Sequence, residues 1–261
     1  MEHTLTNVHP EAKIGKNVVI EPFVTIEKNV EIGDGCWIGA NAVIKEYTKI
    51  GNNCRIFHGA VIGAIPQDLK FVGEITTVII GDNTTVRECA TINRGTSAKS
   101  STQVGSNCLL MAYSHVAHDC RIKNYVIVGN ATQIAGEVDI DDHAILSGGI
   151  LVHQFVHIGT HVIVQGGSKI GKDIPPYIKA GREPLNFAGV NSVGLRRREF
   201  TNEQIYAIQD VYRAIYQKGL NTTQALEVIK AELPASKERD VIIDFVSNSK
   251  RGIISGEFAE L

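Results

Sequence analysis

At 261 residues and 43% hydrophobic composition, the chain can form one elongated domain with a small appendix, and two unrelated large domains are excluded. Its 26 basic and 28 acidic residues leave a net charge of −2, which gives no general attraction to nucleic acid or to an anionic membrane surface. The opening Met1–Asn7 lacks a basic-then-apolar leader pattern, and no apolar run is long enough to span a bilayer, so the expected location is the cytoplasm.

The first organising feature begins at Val8. Stepping by six from there to Ile170 gives 28 positions, of which 25 are Ile, Val or Leu; Asp68, Glu74 and Ala98 are the exceptions. A six-residue period is neither helical nor simply alternating, and such self-similarity marks a solenoid. The early hexads read Ile14-Gly-Lys-Asn-Val18, Ile32-Gly-Asp-Gly-Cys36 and Ile50-Gly-Asn-Asn-Cys54. Each is a short strand followed by a corner, with Gly, Asn or both supplying the backbone conformations a corner needs. Three strands per turn predict a triangular prism of parallel strands in which residues 18 apart lie in register. Cys36, Cys54, Cys108 and Cys120 each fall four residues after a spine position, where small inward side chains belong. With no CxxC pair and an odd total, the cysteines read as reduced core fillers.

The spine breaks at 63–77 and again at 97–103. The first break reads as a loop thrown outward from a corner, the second as a Ser/Thr/Lys-rich solvent loop. Between Val104 and Ile170 the period is unbroken. There the spacing of 18 places His118, Gly136, Gln154 and Lys172 in one column, with Ala117, Ala135, His153 and Gly171 beside it. Asp119, Glu137, Phe155 and Asp173 form the next, and His115 lies near the same corner. A neutral imidazole can remove a proton near pH 7, and Asp119 could hold the other nitrogen of His118. The alternatives are structural histidines, a corner Asp bonded to its own backbone, or zinc shared by His115, His118, His153 and His157 across subunits.

Pro175-Pro176 ends the spine, 186–194 reads as a connector, and the period then turns helical. Thr201-Asn-Glu-Gln204 has the form of a capping box before a face of Ile205, Ile208, Tyr212 and Ile215, with Gly219 as a stop. Two shorter helices fit 223–233 and 238–247. The expected division is therefore a coil over 1–190 and a helical unit over 191–261. Between 169 and 198, seven basic residues face only Asp173 and Glu183, a local charge suited to an acidic partner.

Taken together, Gln67-Asp-Leu-Lys70, His115-Val-Ala-His118-Asp-Cys, Val152-His-Gln-Phe155, Asp173-Ile-Pro-Pro-Tyr177, Gly189-Val-Asn191 and Leu195-Arg-Arg-Arg198 resemble one family over nearly the whole chain. It is that of the acyl-carrier-protein-dependent UDP-N-acetylglucosamine O-acyltransferases of lipid A synthesis. The resemblance implies a mainly β fold, a left-handed parallel β-helix of hexapeptide repeats with a C-terminal α-helical domain, assembled as a homotrimer with active sites between subunits. It implies transfer of an (R)-3-hydroxyacyl chain from acyl carrier protein to the 3-hydroxyl of the sugar nucleotide, with no metal, cofactor, nucleic acid or membrane insertion. By the same resemblance His118 is the general base, Asp119 its orienting partner and Gly136 the oxyanion donor. Gln67, Asp68, Lys70, His115, His153 and Gln154 surround sugar and acyl chain, Gly166 measures acyl length, and Asn191, Arg197 and Arg198 meet uridine, phosphates or carrier protein. A related N-acyltransferase carries an extra N-terminal domain, for which hexads beginning at Val8 leave no room. Glu137 stands where the family's best-known members have His, and Val193 where they have an acidic residue. A 3-amino acceptor sugar, a zinc-dependent hydratase and a non-catalytic scaffold are the competing readings.

Overall fold

The computed structural model describes residues 5–256; residues 1–4 and 257–261, the ends of the expected coil and helical unit, lie outside them. The chain winds as a triangular prism of short, mostly two-residue strands. The first face has nine strands, from Asn7–Val8 to Lys169–Ile170, and the second has eight, from Lys13–Ile14 to His157–Ile158. The third has ten, ending in Ile178–Gly181 and an antiparallel Asn186–Val190. Within the coil the pairing is parallel, and the usual partners are 18 apart, as in His115↔Gln133 and Gln133↔Leu151. The register follows from the spine: from Ile20 onward the hexads bury their Ile, Val or Leu, with Val8 and Ile14 half-buried before them, and a slip of one residue would turn all of them to solvent. The four cysteines assigned to the core are buried, and Cys89 is exposed.

Two insertions interrupt the pairing. Across the first, Thr48 pairs with Val78, a separation of 30. Across the second, Thr77 pairs with Ser101, a separation of 24. The second excursion leaves after Asn93 and is over by Ser101, because Ser101–Val104 is already a strand of the second face.

The corners need a left-handed residue three positions after each spine aliphatic. Asn17, Asn29, Asn41 and Asn53 take it, as do Tyr113, Asp119, Glu137 and Phe155. The glycine directly after the aliphatic has a different reason. A Cβ on Gly15 would lie 2.6 Å from the carbonyl carbon of Gly33, and one on Gly33 would lie 2.7 Å from that of Gly51. These glycines permit close stacking of successive coils, and the positive φ falls on Asn17 and Gly35 two places on.

Past the coil, the segment expected as a connector is structured: Asn186–Val190 is a strand, and Asn191 caps α1 (Ser192–Arg196). Then come α2 (Asn202–Tyr216), α3 (Thr222–Glu232) and α4 (Lys237–Asn248). Thr201 and Gln204 form the reciprocal capping box, and Ile205, Ile208, Tyr212 and Ile215 are buried as their spacing indicates. The Tyr212 hydroxyl donates to the Pro176 carbonyl at 2.5 Å, and burial pushes its pKa well up, keeping it a donor. This contact seats the helices on the end of the prism.

Candidate active site

The unbroken run brings His118 to the corner between the first and second faces. Its ring is mostly enclosed, and Nδ1 lies 2.9 Å from Oδ2 of Asp119. Asp119 is fully buried and its carboxylate is saturated with donors. Oδ1 accepts the amides of Thr96 at 3.0 Å and Lys99 at 3.2 Å, while Oδ2 accepts the Thr96 hydroxyl at 2.6 Å. The Asp119 amide in turn donates to Thr102 Oγ1 at 2.8 Å. A buried acceptor so held fixes the proton of His118 on Nδ1 and leaves a lone pair on Nε2. The nearest carboxylate to Nε2 is Asp68, at 3.8 Å, too far for a hydrogen bond.

Gly136 sits one coil on, against the imidazole: a Cβ there would lie 2.5 Å from both Cε1 and Nε2 of His118. Its amide has no acceptor among the described residues, whereas the flanking Ala135 and Glu137 amides bond to Val152 and His118 carbonyls. A base and an unused N–H donor thus share one spot. Both open on a groove of about 340 Å³ whose walls include Gln67, His115, Gln133, Leu151 and Gln154. His115 Nδ1 bonds Thr91 Oγ1 at 2.7 Å, and burial pushes its pKa down, so this second imidazole stays neutral. Ala117, Ala135 and Leu151 give the groove an apolar stretch along the first face.

One chain does not gather every residue that the resemblance implies. Gln67, Asp68, His115, His118, Asp119, Gly136 and Gln154 converge. Lys70 is exposed, with its amide bonded to Asp68 Oδ1 at 2.9 Å, and His153 is exposed on the next coil, its ring bonded to the Gln154 carbonyl. Gly166 lies at the corner before Lys169–Ile170, at the opposite edge of the first face. Asn191, Arg197 and Arg198 lie off the third face. Asn191 is buried, donating to the His161 carbonyl and accepting the Gly194 amide, so its side chain shapes the turn. Arg198 reaches the Gly194 carbonyl; burial above all, then the nearby His143 and Arg198, pushes the pKa of His161 down to about 4. His157 pairs with Asp141 on the second face, and among the described residues no three His, Cys, Asp or Glu side chains converge as ligands.

A relative from Halorhodospira halophila, an acyl-[acyl-carrier-protein]--UDP-N-acetylglucosamine O-acyltransferase, is 42% identical over 253 residues, covering 97% of this chain and 98% of that protein. This chain belongs to that O-acyltransferase family. The second domain of the family is matched over 173–254, and bacterial transferase hexapeptide repeats over 11–46, 29–64 and 101–136. Among solved structures, a UDP-N-acetylglucosamine acyltransferase from Bacteroides fragilis superposes with a TM-score of 0.96 at 58% identity, covering 97% of this chain and 100% of that one. The Francisella novicida enzyme gives 0.94 at 40% identity, covering 97% and 93%. The coil is the left-handed parallel β-helix of hexapeptide-repeat O-acyltransferases.

Of the two departures from the O-acyltransferase pattern, Glu137 turns onto the second face, lining a small polar recess with Lys99, Asp139 and His157. Val193 is exposed on α1. Neither lines the His118 groove. Sequence reasoning missed Thr96, Thr102, Thr91 and Gln133. Thr102 belongs to the 97–103 stretch read as plain solvent loop and Thr96 directly precedes it, yet Thr96, Ser101 and Thr102 are buried. The Thr96 hydroxyl and amide turn inward as donors to the buried Asp119 carboxylate, and the Thr102 hydroxyl accepts the Asp119 amide.

Proposed function

We propose that this groove transfers an (R)-3-hydroxyacyl chain from acyl carrier protein to the 3-hydroxyl of UDP-N-acetylglucosamine, the first step of lipid A biosynthesis. The observation that carries the reading is the His118 ring, locked to Asp119 through Nδ1 and lying against Gly136 with its free amide. His118 Nε2 takes the proton of the 3-hydroxyl as that oxygen attacks the thioester carbonyl. The Gly136 amide donates to the oxyanion, and Asp119 stabilises the imidazolium. Collapse expels the carrier's thiolate, which receives the proton from Nε2. The sugar hydroxyl needs a base, whereas a thiolate leaves readily, so one imidazole serves both proton transfers. The scheme draws on no metal or cofactor.

Assembly as a homotrimer completes the site in this reading. Two observations support it. Asn191, Arg197, Arg198 and Gly166 stand away from His118 within one chain. Moreover, the first outward loop, which carries Gln67 and Asp68, exposes Ile65, Leu69, Val72 and Ile75, an apolar surface that a neighbouring chain would cover. The basic residues of 169–198 would then offer the acidic carrier protein a docking surface. Among the described residues no helix is long and apolar enough to cross a membrane, in keeping with work in the cytoplasm. Mixing and co-refolding His118→Ala and Arg198→Ala chains, each inactive alone, is expected to restore acyl transfer, because some mixed assemblies contain an intact site. A mixture as inactive as its parents would place the whole site within one chain.

A further inference from the structure

Asp119 owes its orientation to an insertion in the coil rather than to the coil itself. Where residues 18 apart normally pair, Thr77 pairs with Ser101 at 24, and the excursion between Asn93 and Ser101 folds back over the Asp119 carboxylate. Thr96 gives it the shortest contact, Oγ1 to Oδ2 at 2.6 Å, and adds its amide to both oxygens at 3.0 and 3.1 Å. The Thr96 oxygen itself accepts the Ala98 amide at 3.2 Å, so its own proton is committed to Asp119. The same Oδ2 receives His118 Nδ1. Thr96 does not line the groove.

We propose that Thr96 is a positioning residue for the transfer, clamping the Asp119 carboxylate so that Oδ2 faces His118 and the imidazole keeps a single tautomer. The inference rests on His118 acting as the base. A carboxylate can rotate about its bond to Cβ, and neither backbone amide singles out Oδ2: that of Thr96 is shared by both oxygens and that of Lys99 goes to Oδ1. The threonine hydroxyl does, because it adds a short donor to the oxygen shared with His118. The clamp is tied to the substrate side of the groove as well. Glu74 Oε1 accepts the Ser97 amide and Oε2 the Val72 amide, each at 3.0 Å, joining the Thr96 turn to the loop that bears Gln67 and Asp68. Lys99 Nζ lies 3.8 Å from Asp139, one coil beyond Asp119, which anchors the other end of the turn.

The test compares Thr96→Val, which keeps shape and removes the hydroxyl, with Thr96→Ser, which keeps the hydroxyl. Each full-length protein is assayed with acyl carrier protein loaded with a 3-hydroxyacyl chain and with UDP-N-acetylglucosamine. Ring-15N-histidine spectra are recorded on the same proteins. Thr96→Val is expected to lower kcat roughly tenfold, as loss of one charge-assisted hydrogen bond implies, with KM for the sugar nucleotide changed less than about twofold. Its His118 signals move from one tautomer toward a mixture, and Thr96→Ser retains the rate and spectrum of the parent. A Thr96→Val protein with parental kcat, or with a lowered melting temperature but an unchanged His118 spectrum, overturns the inference. His118→Ala serves as the control: if it stays active the base assignment fails, whereas an inactive control beside a fully active Thr96→Val removes only the role of Thr96.

Discussion

His118→Ala is expected to lower kcat/KM for acyl transfer by roughly 10² to 10⁴-fold, the range that general-base catalysis contributes. The loss should fall on kcat. Within the groove, Gln67, Gln133 and Gln154 remain in place, and the Gly136 amide is untouched, so capture of the substrates persists while the hydroxyl keeps its proton. The coil tolerates the change, because Val116 and Cys120, the neighbouring inward residues, hold the core independently of this outward ring. Steady-state kinetics with a melting curve on the same sample separates the two effects. An unchanged rate in a folded variant would remove the base from the mechanism.

Gly136→Ala is expected to cost nearly as much, for a steric reason. The backbone at Gly136 has no positive φ that alanine would resist. The obstacle is the imidazole itself, 2.5 Å from where the methyl carbon would lie, closer than real Cβ contacts allow. Either the ring swings away from its partner or the coil moves and carries the amide with it. Misplacement by about 1 Å can cost 10²-fold, so a fall in kcat of about that size follows. A double-mutant cycle identifies the cause. If the methyl acts by displacing His118, adding Gly136→Ala to His118→Ala produces little further loss, since residues acting as a unit are strongly non-additive. Multiplying losses would show that Gly136 acts independently of the ring.

The scaffold was legible because one physical constraint repeats at every coil. An Ile at position 56 or 134 faces the same interior as its counterparts 18 residues away, so the register could be counted. That count also set Gly136 beside His118 before any geometry was known. Legibility ended where the chain leaves the coil. Hexad periodicity says nothing about Thr96, whose role depends on a buried carboxylate 23 residues later. The turn around Asn191 read as a connector because a five-residue helix has too few positions to show a period. The glycines directly after the aliphatic residues were read as turn residues together with the Asn or Gly two places on; only the latter take the left-handed corner, and Gly15 and Gly33 serve close stacking instead. The separation of Asn191 and Arg198 from His118 was equally beyond the count, because both residues lie past the last hexad at Ile170.

The most direct test of the account is tandem mass spectrometry of the product formed when the protein meets 3-hydroxyacyl-loaded carrier protein together with equal amounts of UDP-N-acetylglucosamine and its 3-amino analogue. An acyl ester on the 3-oxygen of the N-acetylglucosamine nucleotide, absent when His118 is replaced, is the predicted result. Acyl amide as the main product, or no acylated sugar at all, would contradict it.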